Sequence, residues 1–320
     1  MTSVVSYFKS GIGNLVMATP ALQAMASLDP SGKLDICLDA GWRDSRSRAV
    51  RDILTACPFV REIVTYPAAA KSHRYRRGLV PVQSETSDAG HWVRGLSKLP
   101  YWPRENWPTT REHEIRVNMR LARGLGYKGP DPAPYVPVAD GPVLDLPRPV
   151  IGLCNGAFAA QMWAKKRWPY FPELARVLKP YFGGSLVGVG GAGEMAGVKL
   201  AADYCGKLGI LESAKVVSQL DLFITTDTGC MHIADALGVP LLALFGSTLT
   251  TKNAPMGPRS RIIQAALKCA PCQYTDRFHL CREYHCMKAI GPPDVMREAR
   301  HFTRELARAG DAPDAARAAA

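Results

Sequence analysis

Residues 222–247, LFITTDTGCMHIADALGVPLLALFGS, decide the fold. The apolar run Leu222-Phe223-Ile224 continues into Thr225 and Thr226, the pattern of a parallel strand buried on both faces. Asp227 and Thr228 then offer capping side chains for a helix over 229–238, Gly238 stops it, and Pro240 opens the next strand. Polar atoms are thereby concentrated in the turn between strand and helix. The N–H groups of Gly229, Cys230 and Met231, with the helix dipole behind them, favour an anion, and Gly229 lets a phosphate approach the backbone. The same pattern also fits an ordinary βαβ crossover in which Asp227 merely caps.

The rest of the chain sets the frame for this unit. A length of 320 residues suits two domains, and 47% hydrophobic with 21% charged residues is enough to build a sizeable core. No run approaches a membrane span, and MTSVVSYFKSGIG lacks a secretory pattern, so a cytoplasmic protein is expected. Nine cysteines, an odd number of which Cys37, Cys57, Cys154, Cys205 and Cys230 are scattered, fit a reducing compartment better than a disulfide framework. The net charge of +12 is spread evenly over both halves, without a basic tail or an aromatic ladder, which argues against a nucleic-acid partner. Two clusters are more informative: Arg43, Arg46, Arg48 and Arg51, and Lys71, Arg74, Arg76 and Arg77. Each suits a phosphorylated substrate, an anionic membrane surface or a solvated loop.

A strand–glycine turn–helix theme occurs twice. Residues 3–8 read as a strand, Lys9-Ser10-Gly11-Ile12-Gly13-Asn14 as the turn, and 15–28 as a helix in which Pro20 forces either a separate first turn or a kink. Strands are expected at 34–38, ending at Asp39, and at 63–66, with an amphipathic helix around 112–126. The seven prolines between Lys128 and Pro149 exclude a regular element and place a linker there. The second half restarts with strands at 150–153 and 185–189, a helix at 171–178 and a final strand at 262–265. The expected architecture is α/β, two Rossmann-like domains facing each other across a cleft, at 1–149 and 150–308, with a flexible tail at 309–320.

The GIGN-x4-TPAL start, the Lys166-Arg167-Trp168-Pro169 segment, CGKLGILE at 205–212, DTGCMHIADALG-x-P from Asp227 and the LFGST continuation occur in order. Together they resemble glycosyltransferase family 9, the ADP-heptose heptosyltransferases of lipopolysaccharide core assembly. The resemblance implies a GT-B fold with a C-terminal nucleotide-sugar site, an N-terminal acceptor site and inversion at the anomeric carbon without a catalytic metal. It implies a phosphorylated saccharide or glycolipid acceptor, and with it peripheral contact with the inner membrane.

The same resemblance assigns roles. Lys166 contacts donor phosphate, offsetting charge on the departing diphosphate, with Lys165 and Arg167 as neighbours able to contribute. Asp227, Thr228, Gly229, Met231 and His232 match the donor-binding block, although a lone histidine on a helix is more often satisfied by the backbone. Glu194, beside the Gly190-Gly191-Ala192-Gly193 turn, and Lys207 are candidates for the nucleoside wall or ordinary loop residues. Gly11, Gly13, Arg74 and Arg76 are candidates for acceptor or phosphate contact. One departure concerns the chemistry: the family commonly has Asp after the glycine turn, as proton acceptor, and this chain has Asn14. An amide by itself is no base. Asp39, Glu85, His113, Glu114 or an acceptor phosphate remain as alternatives.

Cys269, Cys272, Cys281 and Cys286 fall within eighteen residues and suit a closed structural site for zinc or iron, or four reduced thiols. No cofactor is expected for catalysis. The C-terminal helix carries an apolar stripe, Val295, Ala299, Phe302 and Leu306, which either crosses back to the first domain or packs on its own.

Overall fold

A computed structural model describes residues 4–84, 87–97, 112–157 and 161–308, without the side chains of Ser45, Gln161 and Met162. Glu85 and the tail at 309–320 lie outside the described residues. The chain divides into two compact units, one ending at Pro137 and one beginning at Val138.

The first unit runs β1 (Val4–Tyr7), α1 (Ile12–Ala26), β2 (Leu34–Leu38), α2 (Ser45–Ala56), β3 (Val60–Thr65), α3 (Ala68–Lys71), β4 (Arg77–Leu79), α4 (Asp88–Gly95) and α5 (Glu114–Gly124). Its sheet has the order β3-β2-β1-β4, and every pairing is parallel. Helix α1 passes through Pro20 without a break because its neighbour repairs the ladder. Proline leaves the Val16 carbonyl without its usual partner; the Thr19 hydroxyl donates to that oxygen at 2.7 Å and accepts the Tyr135 N–H at 2.8 Å.

The second unit runs β5 (Val150–Cys154), a 3₁₀ turn (Gln161–Lys166), α6 (Phe171–Phe182), β6 (Ser185–Gly188), β7 (Ala202–Asp203), α7 (Ile210–Val217), β8 (Leu222–Thr226), α8 (Gly229–Ala236) and β9 (Leu241–Phe245). It closes with α9 (Thr250–Asn253), β10 (Ser260–Gln264), α10 (Asp276–Leu280), α11 (His285–Lys288) and α12 (Pro292–Arg308). The sheet order is β10-β9-β8-β5-β6-β7, all parallel. Counted from β5 this is the doubly wound order 3-2-1-4-5-6 read from the other edge, so the strand order reverses between β5 and β8.

Burial follows from that layering. Strands β5, β8 and β9 are wholly buried, as their unbroken apolar runs require. The stripe Val295, Ala299, Phe302 and Leu306 enters the second unit's own core with Phe171, Leu178 and Phe182, so α12 packs on its own domain. The unit boundary also lies earlier than the proline count suggests. Residues 138–149 are tied to the second unit: Leu144 N–H donates to Gln219 Oε1 at 2.9 Å, and Gln219 Nε2 donates to the Pro142 carbonyl at 2.8 Å. Prolines exclude regular structure but do not say which domain an irregular segment packs against.

Candidate functional site

In a doubly wound sheet, ligands bind beyond the carboxyl ends of the strands where the order reverses. In the second unit that point is the gap between the ends of β5 and β8, and it holds Asn155, Gly156, Asp227 and Thr228. Thr228, in extended conformation, caps α8 by accepting the Cys230 N–H at 3.1 Å. Asp227 is thereby released from capping and pairs with Lys166 instead. Lys166 Nζ stands 2.8 Å from Asp227 Oδ2 and donates to the Asp227 carbonyl at 3.0 Å, with the Trp163 ring 5.0 Å away. Burial opposes ionisation of Asp227, but the Lys166 ammonium and the His232 imidazole outweigh it and hold the carboxyl below the usual carboxylate range.

Lys166 is aimed by a residue the sequence reading missed. Asn155, just beyond β5, accepts the Trp168 N–H at 2.7 Å and donates to the Trp168 carbonyl at 3.0 Å, while Trp168 Nε1 donates to the Ile290 carbonyl at 2.8 Å. The indole is fully buried, so the backbone two residues after Lys166 is fixed on both sides. Only a polar residue at a strand end marks Asn155 in the sequence, which is too common to single it out.

Glu194 reaches the same place. Its Oε2 accepts the Gly191 N–H at 2.9 Å, and a Cβ on Gly156 would stand 3.1 Å from both Glu194 Oε2 and the Thr228 methyl. Gly190 sits at φ 142°, and any side chain there would meet the Glu194 carboxylate, so this turn must be glycine for Glu194 to fold back. Met231 and His232 are buried on α8, and Gly229 is its first residue. Lys207 does not join the group: its ammonium donates to the Asp203 carbonyl at 2.7 Å from an exposed position. Nor does Lys165, which turns into the core, donates to the Phe278 carbonyl and lies 4.2 Å from the Phe278 ring centre.

The first unit repeats the layout with different residues. Its reversal lies between β1 and β4, beside the turn that starts α1. Gly11 is the N-cap, with no side chain capping the helix, and Gly13 and Asn14 lie in the first turn. Asn14 Nδ2 donates to Glu114 Oε1 at 3.0 Å and Oε2 at 3.1 Å, and Glu114 is fully buried. His113 caps α5, its Nδ1 accepting the Ile115 N–H at 3.2 Å. Asp39, beyond β2, is held by Lys9 at 3.1 Å, by the Tyr7 hydroxyl at 3.1 Å and by Ser87 Oγ at 2.9 Å. Burial, with the Asp39 charge beside it, pushes the Tyr7 phenol well up, so it donates as a neutral group.

The two basic clusters part company. Arg74 serves the fold: it donates to Asp35 Oδ2 at 3.0 Å and to Glu62, and stacks on Tyr75 with 5.0 Å to the ring centre. Asp35, with no exposed surface in β2, also takes Arg61 at 2.8 Å and the Tyr75 hydroxyl at 2.8 Å. Arg74 is therefore committed to a structural network, and Arg76 is exposed beside it. Arg43, Arg48 and Arg51 instead line a cavity of about 690 Å³ beyond β2, with Trp42 and Ser47 in its wall.

The expected metal loop does not close. Among the described residues no three His, Cys, Asp or Glu side chains are gathered closely enough to hold a metal ion. Cys272 and Cys286 are buried on either side of α10, and burial raises both thiols, Cys286 to about 11, with the other loop cysteines adding to the shift.

Two Rossmann-like units, the second with a basic residue and a helix N-terminus at its reversal point, carry the layout in which α/β proteins bind anionic ligands. Residues 130–281 match the model of glycosyltransferase family 9 (heptosyltransferase). Lipopolysaccharide heptosyltransferase 2 of Escherichia coli K12 is 24% identical over 314 residues, covering 80% of this chain and 86% of its own. The structure of E. coli ADP-heptose lps heptosyltransferase II superimposes with a TM-score of 0.68 at 19% identity, over 94% of this chain and 98% of that one. An iron-containing dodecameric glycosyltransferase of enterotoxigenic E. coli H10407 gives 0.63 at 15% identity, over 95% and 77%. In its second half the chain resembles glycosyltransferase family 9, and its two units share the fold of the E. coli heptosyltransferase.

Proposed function

We propose that the protein transfers heptose from ADP-heptose to a saccharide hydroxyl of the lipopolysaccharide inner core, with inversion. The observation that carries this reading is the Lys166–Asp227 pair at the N-terminus of α8, at the reversal point of the second sheet. The N–H groups at that helix end receive the donor diphosphate, and Lys166 neutralises the charge that grows on it as the glycosidic bond breaks. Asp227 holds the ammonium in place and with His232 contacts the sugar or ribose. Glu194, folded against Gly156 and Thr228, lines the nucleoside side.

In the first unit the acceptor lies at the α1 turn, where Gly11 and Gly13 keep the backbone accessible. Its phosphates fit the Arg43, Arg48 and Arg51 cavity better than Arg74, whose guanidinium is already committed. The same arginines suit an anionic membrane surface that carries the acceptor. Among the described residues no helix is long and apolar enough to cross a membrane. Incubating the protein with ADP-heptose and a deep-rough lipooligosaccharide extract tests the reading. ADP release with a mass gain of one heptose on the saccharide is expected; donor binding without either product would overturn it.

A further inference from the structure

The cysteines outside the 269–286 loop include a facing pair at the second unit's reversal point. Cys154 ends β5 with no exposed surface, and Cys230, half-exposed, lies in the first turn of α8. The Cys154 sulfur is enclosed by glycine backbone: a Cβ on Gly156 would stand 3.4 Å from it, and one on Gly190 3.3 Å. Thr228 Oγ1, at the cap of α8, lies 4.0 Å away and accepts the Cys230 N–H at 3.1 Å. Beside this cap the two thiols meet in a hydrogen bond, which is the strongest influence on both and makes Cys154 the more acidic of the two. Neither is in a disulfide. The transfer reaction uses neither sulfur.

Two sulfurs in hydrogen-bond contact, one of them reachable from solvent, need only a local movement to be joined. We propose that Cys154 and Cys230 form a reversible disulfide that weakens donor binding, with a low-molecular-weight disulfide such as oxidised glutathione as the oxidant. The inference rests on the donor reading above. The Cys230 sulfur attacks one sulfur of the small disulfide, whose S–S bond breaks, and the first small thiol departs with the Cys230 proton. Cys154 then attacks Cys230 in the mixed disulfide, so that the Cys154–Cys230 bond forms and the second small thiol departs with the Cys154 proton. The protein gives up two protons and two electrons, and the small disulfide takes up both. A disulfide holds its sulfurs about 2.0 Å apart, closer than any thiol hydrogen bond, and fixes the dihedral between them. Closing it draws the first turn of α8 towards β5, and with it the Gly229, Cys230 and Met231 N–H groups that receive the diphosphate. An excess of the small thiol reverses the step.

The test holds the full chain in buffers of reduced or oxidised glutathione and reads disulfide-linked peptides and ADP affinity from the same samples. In the oxidised buffer a linked Cys154–Cys230 peptide is expected, and ADP affinity should fall about tenfold and return when reduced glutathione is restored. By reciprocity, saturating ADP should lower the equilibrium constant for forming the disulfide by the same factor. C154A and C154S, which lack the buried thiol, should each bind ADP equally in the two buffers. Absence of the linked peptide, or a linked peptide with unchanged ADP affinity, would overturn the proposal. So would a fall in affinity that C154A and C154S share with wild type. If reduced wild type binds no ADP, it is the donor reading that fails, and the linked peptide still decides whether the disulfide forms.

Discussion

The two units carry the same architecture, a parallel sheet whose order reverses beside a glycine turn and a helix N-terminus, yet they hold charge in opposite ways. In the second unit a cation and an anion meet at the reversal point, Lys166 on Asp227, both largely buried. In the first, a buried carboxylate is faced by an amide, Glu114 by Asn14. A compensated pair is stable by itself and can be opened by a ligand that supplies equivalent charges, as a diphosphate does for Lys166. The Asn14–Glu114 contact instead fixes the orientation of an amide beside the α1 turn. The ion pair suits binding of an anionic ligand, and the amide–carboxylate contact suits holding a polar side chain in place.

The largest break in this comparison comes from K166M. Removing one partner of a mostly buried pair leaves Asp227 without its main cation and should cost about 3–5 kcal/mol, read in denaturant unfolding, with donor binding lost in calorimetry. The sign of the pH dependence follows from the depressed Asp227 pKa. Its stabilisation is complete above the ordinary carboxylate range and is lost as pH falls through the folded value, so K166M should unfold at higher pH than wild type on acid titration. Retention of the wild-type acid profile would break the assignment.

T19V removes both the donor to the Val16 carbonyl and the acceptor for Tyr135 N–H. It should cost about 1–3 kcal/mol, seen as a lower Tm with donor affinity unchanged, since the loss lies in the other unit. T228A removes the α8 cap and should cost about 1 kcal/mol, but unlike T19V it should weaken donor binding too. The smallest stability effect is expected for R43Q/R48Q/R51Q, within about 0.5 kcal/mol of wild type. Its signature is a raised KM for phosphorylated acceptor at unchanged donor affinity; an unchanged acceptor KM would remove the cavity from the acceptor site.

What could be read from the sequence was local. The β8–α8 unit is legible because burial period, cap and glycine stop all fall within twenty residues, and Gly238 does adopt the positive φ of 69° that ends the helix. Asp227 and Thr228 both looked like caps, and only the position of Lys166, sixty-one residues earlier, separates them. Arg74 looked available because its partner Asp35, thirty-nine residues away, lies inside an apolar strand where a carboxylate is not expected. Pro20 looked like a break because the hydroxyl of the preceding threonine repairs the ladder from outside the proline's own geometry. The cysteine spacing counted residues along the chain, whereas a metal site depends on where the thiols point. Asn14 was legible as a departure, and Glu114 as one of several carboxylates, but their pairing needed the packing of α1 on α5.

The account stands most directly on the second unit's reversal point as a nucleoside-diphosphate site. Titration of the intact protein with ADP, UDP and GDP, repeated on K166M, tests it in one calorimetric series. The account predicts saturable binding of ADP in preference to the other two, and its loss in K166M. Preference for another nucleotide would contradict the donor assignment, and equal binding by K166M would contradict the site.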